Sequence, residues 1–164
     1  MSIVLARIDS RLIHGQVLEA WVPHVRADSI VVVNDAAANT PLQRLIMQAA
    51  VPRDILLVIC AVDAAPALLV SSELDGRRVL LLFADAADAL RACRQKVGFD
   101  KLNLGNMHAA DGKARYNCNI ALDQGDIDRL NEIEATGIRV VVQSVPADRE
   151  VSWQALLNCK EVPS

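Results

Sequence analysis

The sequence has few aromatic side chains and no surplus of basic ones, and both shortages limit what the protein can be. Aromatic residues make up 3% of the 164 residues, although 52% are hydrophobic. The core must therefore consist mainly of Ala, Val, Leu and Ile, the usual filling of parallel sheets that helices cover on both faces. The 17 basic residues are interleaved with 20 acidic ones, for a net charge of −3. This dispersal leaves no evident basic patch for a nucleic-acid backbone, so nucleic acid is not expected as a partner.

Long apolar runs are missing as well. The longest uncharged apolar runs fall far short of the roughly 20 residues that cross a bilayer. Arg7, Asp9 and Arg11 interrupt the N-terminal stretch, so we do not expect it to act as a signal peptide. The four cysteines are widely separated and show no CxxC pair, as expected of small buried hydrophobes in a reducing compartment. They are Cys60, Cys93, Cys118 and Cys159. We expect a cytoplasmic protein.

Short apolar runs of strand length alternate with helical patterns along the chain. The runs are β-branched or leucine-rich and mostly do not alternate with polar residues, which is typical of strands covered on both faces. They are Ile3–Ile8, Ser29–Asn34, Ile55–Val62, Arg78–Phe83, Leu102–Leu104 and Arg139–Val145.

Helices are predicted between several of these runs from N-cap residues and helical spacing. They are a helix from Pro41 capped by Thr40, a helix opened by Asp85 that runs to about Gln95, a helix capped by Asp123 that Gly137 ends, and a last helix over Trp153–Leu157. Strands separated by such helices imply right-handed βαβ crossovers. We predict an α/β fold, an open and mostly parallel central sheet with helices on both faces, as a single domain over residues 1–164.

The chemistry is predicted to lie after the first strand, in the run RIDSRLIHGQV. If Gly15 and Gln16 begin the next helix, His14 sits at a helix N-terminus, where free amides and the macrodipole favour an anion. Arg11 can hold phosphate oxygens through two parallel hydrogen bonds. Asp9 can orient the imidazole or hold the arginine. An imidazole is largely a neutral nucleophile at cytosolic pH, so His14 is a candidate carrier of a phosphoryl group.

A structural interpretation of the same residues stays open, and the local pattern alone favours it: His14 only caps the helix, and Arg11 pairs with Asp9. Asn34 and Asp35, after the second strand, are a second candidate site that fits an Asx turn equally well.

The remaining histidines point to no further chemistry. His108 could approach His14 but is more typical of a solvated loop, and His24 suits the C-terminal end of a helix dipole. The histidines and cysteines show no metal-ligand spacing. Neither a GxxxxGK[ST] loop nor a GxGxxG turn is present, so no nucleotide cofactor is indicated.

Several motifs, in order along essentially the whole chain, carry a family resemblance. They are ARIDSRLIHGQV, IVVVNDAAANTPLQRLIMQAA, RVLLLFADAADALR, LNLGNMHAADGKARYN and VPADREVSW. The chain resembles the enzyme IIB components of the mannose/fructose/sorbose family of the bacterial phosphotransferase system (PTS). In that family the histidine of the first motif is transiently phosphorylated, and His14 occupies its place.

The resemblance implies a cytoplasmic phosphocarrier with a sheet of about seven strands. It would accept phosphate from a phosphorylated IIA protein on His14 and pass it to a sugar bound by the membrane subunits IIC and IID. This is the activity of a protein-N(pi)-phosphohistidine–sugar phosphotransferase, and it needs no metal or other cofactor. The residues expected to bind phosphate or support the site are Arg11, Asp9, Gly15, Gln16, Asn34, Asp35 and Asn106.

One departure from the family pattern falls at Asn106, where members usually carry the second glycine of N-x-G-G-M. If that glycine lets the backbone approach the phosphate or adopt a left-handed conformation, asparagine is the expected substitute, because it tolerates the left-handed conformation better than other residues do. We also expect Arg7 and Arg11, with Lys113 or Arg115, to ring the site with positive charge.

Two other functions remain compatible with the same residues. One is a regulatory module that carries phosphohistidine without transferring it to a sugar. The other is a small-molecule enzyme or nucleotide binder in which His14 acts as a general acid or base.

Overall fold

The computed structural model describes residues 1–158, in which a seven-stranded sheet has the order β3-β2-β4-β1-β5-β8-β9. Its strands are parallel except for the antiparallel edge pair β8–β9, which confirms the predicted sheet. A separate antiparallel pair, β6–β7, follows β5. The strands are β1 (Ser2–Asp9), β2 (Ser29–Val33), β3 (Leu56–Cys60), β4 (Arg78–Phe83), β5 (Lys101–Asn106), β6 (Ala114–Arg115), β7 (Ala121–Leu122), β8 (Arg139–Val142) and β9 (Val151–Ser152).

Seven α-helices occur in these residues, and the four predicted helices are among them. They are α1 (Val22–Val25), α2 (Asp35–Asn39), α3 (Pro41–Ala50), α4 (Ala65–Leu69), α5 (Ala86–Arg94), α6 (Gln124–Ala135) and α7 (Trp153–Leu157). The carboxylates of Asp85 and Asp123 cap α5 and α6 as predicted. Thr40 precedes α3, but its side chain makes no capping hydrogen bond there. None of the seven approaches the length and apolar character that a bilayer crossing requires.

The sheet is covered on both faces, because successive residues of each strand point to opposite sides. In β2, Val31 and Val33 belong to one hydrophobic cluster, while Ile30 and Val32 belong to the other. The first cluster includes side chains of α4 to α7. The second includes Val17, from the helical segment that follows β1. Apolar side chains therefore cover both faces of the sheet, as the non-alternating strand sequences predicted.

The helical segment that follows β1 begins as a π-helix over Gln16–Trp21 and continues as α1. The amide of Val22 donates to the carbonyl of Val17, five residues earlier. Pro23 accounts for the wide turn, because it has no N–H to donate to Glu19 and its ring excludes that carbonyl. A helix start after His14 was predicted, but its π form was not.

Candidate functional site

The loop after β1 turns tightly and returns over the end of the strand. The amide of Leu12 donates to the carbonyl of Asp9 at 2.9 Å, and Leu12 has a φ of +53°. A bulky side chain in this left-handed conformation persists only where surrounding contacts hold it. Leu12 is buried in the hydrophobic cluster of its face of the sheet. The turn thereby brings His14 back to Asp9.

His14 lies directly against the carboxylate of Asp9. Its Nε2 is 2.9 Å from Asp9 Oδ2, and the two side chains are 7% and 0% exposed. Both ring nitrogens are covered, and neither makes an aligned hydrogen bond with a residue in the described part of the chain. The contact is thus at ion-pair distance, and a rotation of the ring is needed to align the Nε2–H with the carboxylate. That alignment leaves the lone pair on Nδ1.

Arg7 holds the same carboxylate from within the sheet. Its Nε and Nη2 donate to Asp9 Oδ2 at 3.1 and 2.9 Å, and its Nη1 donates to Asn103 Oδ1 at 2.5 Å. The carbonyls of Gln143 and Ser144 each accept a further bond at 3.1 Å. All five guanidinium N–H groups are therefore used. Burial lowers the pKa of Arg7, and the charge of Asp9 opposes that shift. Because Arg7 is 0% exposed, the prediction that it belongs to a cationic rim is wrong.

Trp21 covers the Arg7 guanidinium. The arginine Cζ lies 5.2 Å from the centre of the indole ring, and the indole Nε1 donates to the carbonyl of Ser144 at 2.9 Å. A guanidinium over an indole is a favourable cation–π arrangement, and it gains strength where water is excluded. Trp21 is the last residue of the π-helix that follows His14, so this helix also covers the Arg7 guanidinium.

Gly105 makes room for the same guanidinium. The register between β1 and β5 shifts after Ile8, which leaves Gly105 as an extra residue in β5. A Cβ at Gly105 would stand 1.8 Å from Arg7 Cζ, so a side chain here must displace the arginine head. Bulges of this kind are common beside functional sites, and this one requires glycine for close approach.

Asn106 does not adopt the conformation that its substitution for glycine suggested. The described non-glycine residues with positive φ are Leu12, Arg26 and Lys96, so Asn106 needs no left-handed backbone. Its Oδ1 accepts from Ser10 Oγ at 2.8 Å, and its carbonyl accepts from the Ser10 amide at 2.9 Å. The residue therefore ties the start of the loop to β5.

Arg11 stands on the open side of the loop. It is exposed, and its guanidinium makes no hydrogen bond or ion pair within residues 1–158. The predicted pairing of its side chain with Asp9 is not found, because only the Arg11 amide contacts that carboxylate, at 3.1 Å. Arg11 lines a cavity of about 270 Å³ together with His108 and Arg115. Lys113, which was also expected at this cationic rim, instead forms an ion pair with Asp126, with its Nζ 2.9 Å from Asp126 Oδ2.

The start of the helix offers donors beside His14. The amides of Val17 and Leu18 both donate to the carbonyl of His14 at 3.0 Å, whereas those of Gly15 and Gln16 donate to no described residue. Free amides at this end of a helix suit an anion. Gly15 itself has helical angles and open space around its Cα, so its backbone does not require glycine.

Asn34 and Asp35 make hydrogen bonds that link separate elements of the fold. The side-chain oxygen of Asn34 caps α2, and its side-chain Nδ2 donates to Asp88 Oδ2 at 2.7 Å. Asp35 accepts from Arg91 at 2.6 Å and from the Val62 amide at 2.9 Å. These two bonds, the one from Arg91 above all, hold the pKa of Asp35 below its ordinary value. Asn34 still lines a second cavity, of about 390 Å³, between the loop and α3, where Arg11 is also found.

Neither His24 nor Cys118 forms a hydrogen bond or an ion pair with the ring of His14. His24 packs its ring edge-on to Trp21 at 5.9 Å. Cys118 is exposed and lines the 270 Å³ cavity, so it is not the buried hydrophobe that was predicted. Among the residues that the structure describes, no three His, Cys, Asp or Glu side chains gather as a metal site would require.

The sequence prediction missed the buried role of Arg7 beside Asp9 and the residues that surround its guanidinium, which are Trp21, Asn103 and Gly105. A signal for two of them was present. Arg7 and Asn103 are polar residues in the interior of strands that otherwise read as core, and a buried polar side chain needs a partner. Nothing local marked Trp21 or Gly105.

Comparison with known proteins gives consistent results. The family model described as "PTS system sorbose subfamily IIB component" matches residues 3–164. The chain is 33% identical over 156 residues to the N-acetylgalactosamine-specific phosphotransferase enzyme IIB component 2 of Escherichia coli K12, covering 95% of this chain and 99% of that protein. It is 34% identical to the mannose-specific EIIAB component of the same strain, covering 96% of this chain and 49% of that protein. The crystal structure of the IIBSor domain of the sorbose permease from Klebsiella pneumoniae superposes with a TM-score of 0.90 at 31% identity, covering 96% and 97% of the two chains.

Proposed function

The chain belongs to the sorbose subfamily of PTS IIB components, which act in sugar phosphotransfer, and from this premise we propose that it carries the phosphoryl group on His14. The donor is a phosphorylated IIA protein, and the acceptor is a sugar held by the IIC and IID membrane subunits, to which the chain is peripheral on the cytoplasmic side. The observation that carries this proposal is the position of His14, which lies against a buried carboxylate and beside free helix amides.

The first step is in-line attack of His14 Nδ1 on the phosphorus of the donor phosphohistidine. The new N–P bond forms as the donor's N–P bond breaks, and the donor imidazole keeps that electron pair. Positive charge develops on the His14 ring, and the Asp9 carboxylate 2.9 Å from Nε2 stabilises it. Arg11 and the free amides of Gly15 and Gln16 are the donors available to the phosphoryl oxygens.

The second step reverses the roles. A sugar hydroxyl attacks the phosphorus and gives its proton to water. The new O–P bond forms as the N–P bond breaks, and the electron pair of the N–P bond returns to Nδ1. The chain thus ends as it began, and this completes the cycle of a protein-N(pi)-phosphohistidine–sugar phosphotransferase.

Acceptance of the phosphoryl group requires a movement of His14. Both ring nitrogens are covered in the structure, and the Nε2 contact with Asp9 is unaligned. A rotation of the ring that aligns Nε2 with the carboxylate also changes the direction of Nδ1. We expect this rotation to accompany docking of the donor.

The test is transfer of labelled phosphate from the cognate IIA protein to purified chain. We expect His14→Ala to abolish labelling, while the matched variants His24→Ala and His108→Ala retain it. The label should be acid-labile and alkali-stable, as a phosphoramidate is. Full labelling of His14→Ala would overturn the proposal. Formation of sugar phosphate on addition of membranes with IIC and IID then separates a transport subunit from a regulatory module.

A further inference from the structure

Helix α3 exposes its apolar side chains to solvent. Six large apolar side chains are exposed in the part of the chain that the structure describes, and three of them lie on this helix: Leu42, Leu45 and Ile46, at 66%, 62% and 60% exposure. These three residues, spaced so that they are neighbours on the helix surface, form the α3 face. No residue of α3, all ten of which are described, is buried. Because an apolar helix face normally covers the core of its own domain, one left at the surface marks an interaction site.

The α3 face is surrounded by uncharged groups. Arg44 is the one charged residue of the helix, and it is half-buried, with its Nη1 donating to the carbonyl of Ala38 at 3.2 Å. The other polar side chains of α3 are the amides of Gln43 and Gln48, and both are exposed. A partner therefore meets an apolar surface with amides at its edge and no free charge on the helix.

The α3 face extends to the loop that carries His14. Ile46 lines the cavity of about 390 Å³ together with Arg11 and Ile13, the neighbour of His14. Arg11 also lines the cavity of about 270 Å³, where Arg115 is found. The loop thus borders two different surfaces, a cationic one and an uncharged apolar one, and a partner on either of them can reach the histidine.

The charges of the partners determine which surface suits each of them. The donor brings a phosphoryl group, whose negative charge Arg11 and Arg115 attract. Membrane proteins carry a surplus of Lys and Arg in their cytoplasmic loops, so these two arginines repel such loops, whereas an uncharged helix does not. A second copy of the chain is a poor occupant of the α3 face, because three side chains offer far less than the roughly 800 Å² per partner that a stable complex buries.

We propose that the α3 face is the docking surface for the membrane subunits IIC and IID. The inference rests on the proposed function of His14 and adds that donor and acceptor are received on different surfaces beside the same loop. A small apolar contact of this kind is typical of transient complexes, and a phosphocarrier must leave the acceptor after each transfer.

The test separates the two half-reactions. Leu42→Gln combined with Leu45→Gln removes apolar surface with a residue that favours helices, and neither position lines the 390 Å³ cavity. We expect labelling by IIA at the unmodified rate, which also shows that the variant is folded. In the sugar step with membranes that contain IIC and IID, the KM for phosphorylated chain should rise about tenfold at an unchanged kcat. The matched control is Val70→Gln, 83% exposed after α4, which packs on the other face of the sheet.

A pair of charge substitutions tests the electrostatic part of the proposal. Gln48 lies next to Leu45 on the helix surface, one turn further on. If basic loops dock there, Gln48→Lys should raise the KM of the sugar step several-fold, while Gln48→Glu should leave it equal or lower. A higher KM for Gln48→Glu than for Gln48→Lys would contradict the assignment to the membrane subunits.

Three other results would overturn the inference. The first is a sugar step that the leucine substitutions leave unchanged, and the second is a loss of IIA labelling in its place, which would assign the α3 face to the donor. The third is equal binding of the chain to anionic lipid vesicles with and without IIC and IID, since the partner would then be lipid. Absence of any label on His14 in the unmodified chain would instead overturn the proposed function.

Discussion

Two arginines of one short motif, Arg7 and Arg11, show how differently the same side chain is used on the two sides of a loop. Arg7 lies within β1, is 0% exposed and has a partner for every donor. Arg11 lies four residues later, is exposed, and its guanidinium makes no hydrogen bond or ion pair with a described residue. The buried arginine holds the carboxylate of the site, and the open one is available to the phosphoryl group that we propose as its ligand. Charge removed at the first should cost stability, and charge removed at the second should cost activity.

The largest expected effect is on stability. Arg7→Met leaves Asp9 buried without its ion-pair partner, and breaking a buried pair in this way costs about 3–5 kcal/mol. Arg11→Met removes an exposed side chain that has no partner, and its cost should stay within about 0.5 kcal/mol. Urea unfolding followed by circular dichroism measures both free energies of unfolding. Equal losses of unfolding free energy in the two variants would mean that Arg7 and Arg11 contribute equally to stability, contrary to the difference in their burial.

The next effect is on catalysis and concerns Arg11 alone. Arg11→Lys keeps the charge but loses the two-pronged grip on phosphate oxygens, so we expect transfer from IIA to slow by about tenfold or more. The melting temperature should not change. Quenched-flow labelling gives the rate, and calorimetry gives the melting temperature. A large drop in melting temperature at an unchanged rate would assign Arg11 to the structure instead of the phosphate.

A smaller effect is expected at the outer edge of the open side. Arg115 is exposed and lines the same cavity as Arg11, where an anionic donor would arrive. Arg115→Glu should lower the bimolecular transfer rate several-fold and flatten its dependence on salt, since the Debye length shortens to about 8 Å at physiological ionic strength. Arg53→Glu, exposed before β3 at the other end of the sheet, is the matched control. A transfer rate that changes with neither the salt concentration nor the Arg115→Glu substitution would show that docking does not depend on this charge.

The smallest effect concerns the cysteines. Burial raises the pKa of Cys60 and of Cys93 to about 11, whereas Cys118 is exposed. Only the thiolate reacts, so at pH 8 iodoacetamide should modify Cys118 well before the other two. Peptide mapping measures the modification of each cysteine separately. It thereby also distinguishes Cys159, which lies outside the described residues. Modified chain should transfer phosphate only slightly more slowly. Faster modification of Cys60 or Cys93 would contradict the burial of these thiols.

Local signals predicted much of this fold. Apolar runs located the six longer strands to within a few residues, and N-cap residues located α3, α5 and α6. Most of the short elements were not predicted, namely α2, α4, β9 and the pair β6–β7, because two to five residues carry little periodicity. The five-residue helix α7 is the exception. The loop with His14 was found because its residue types and the helix start lie within one continuous stretch.

The sequence by itself determined that Arg7 and Asp9 share one face of β1, because strand residues two apart always do. It also determined that His14 stands before a helix and that Arg11 lies in the loop. Only the tertiary structure decided which arginine is buried. Asn103 and the carbonyls of Gln143 and Ser144 reach Arg7 through the pairing of β1 with β5 and of β5 with β8. Those contacts join residues far apart in the chain, and local residue patterns carry no information about them.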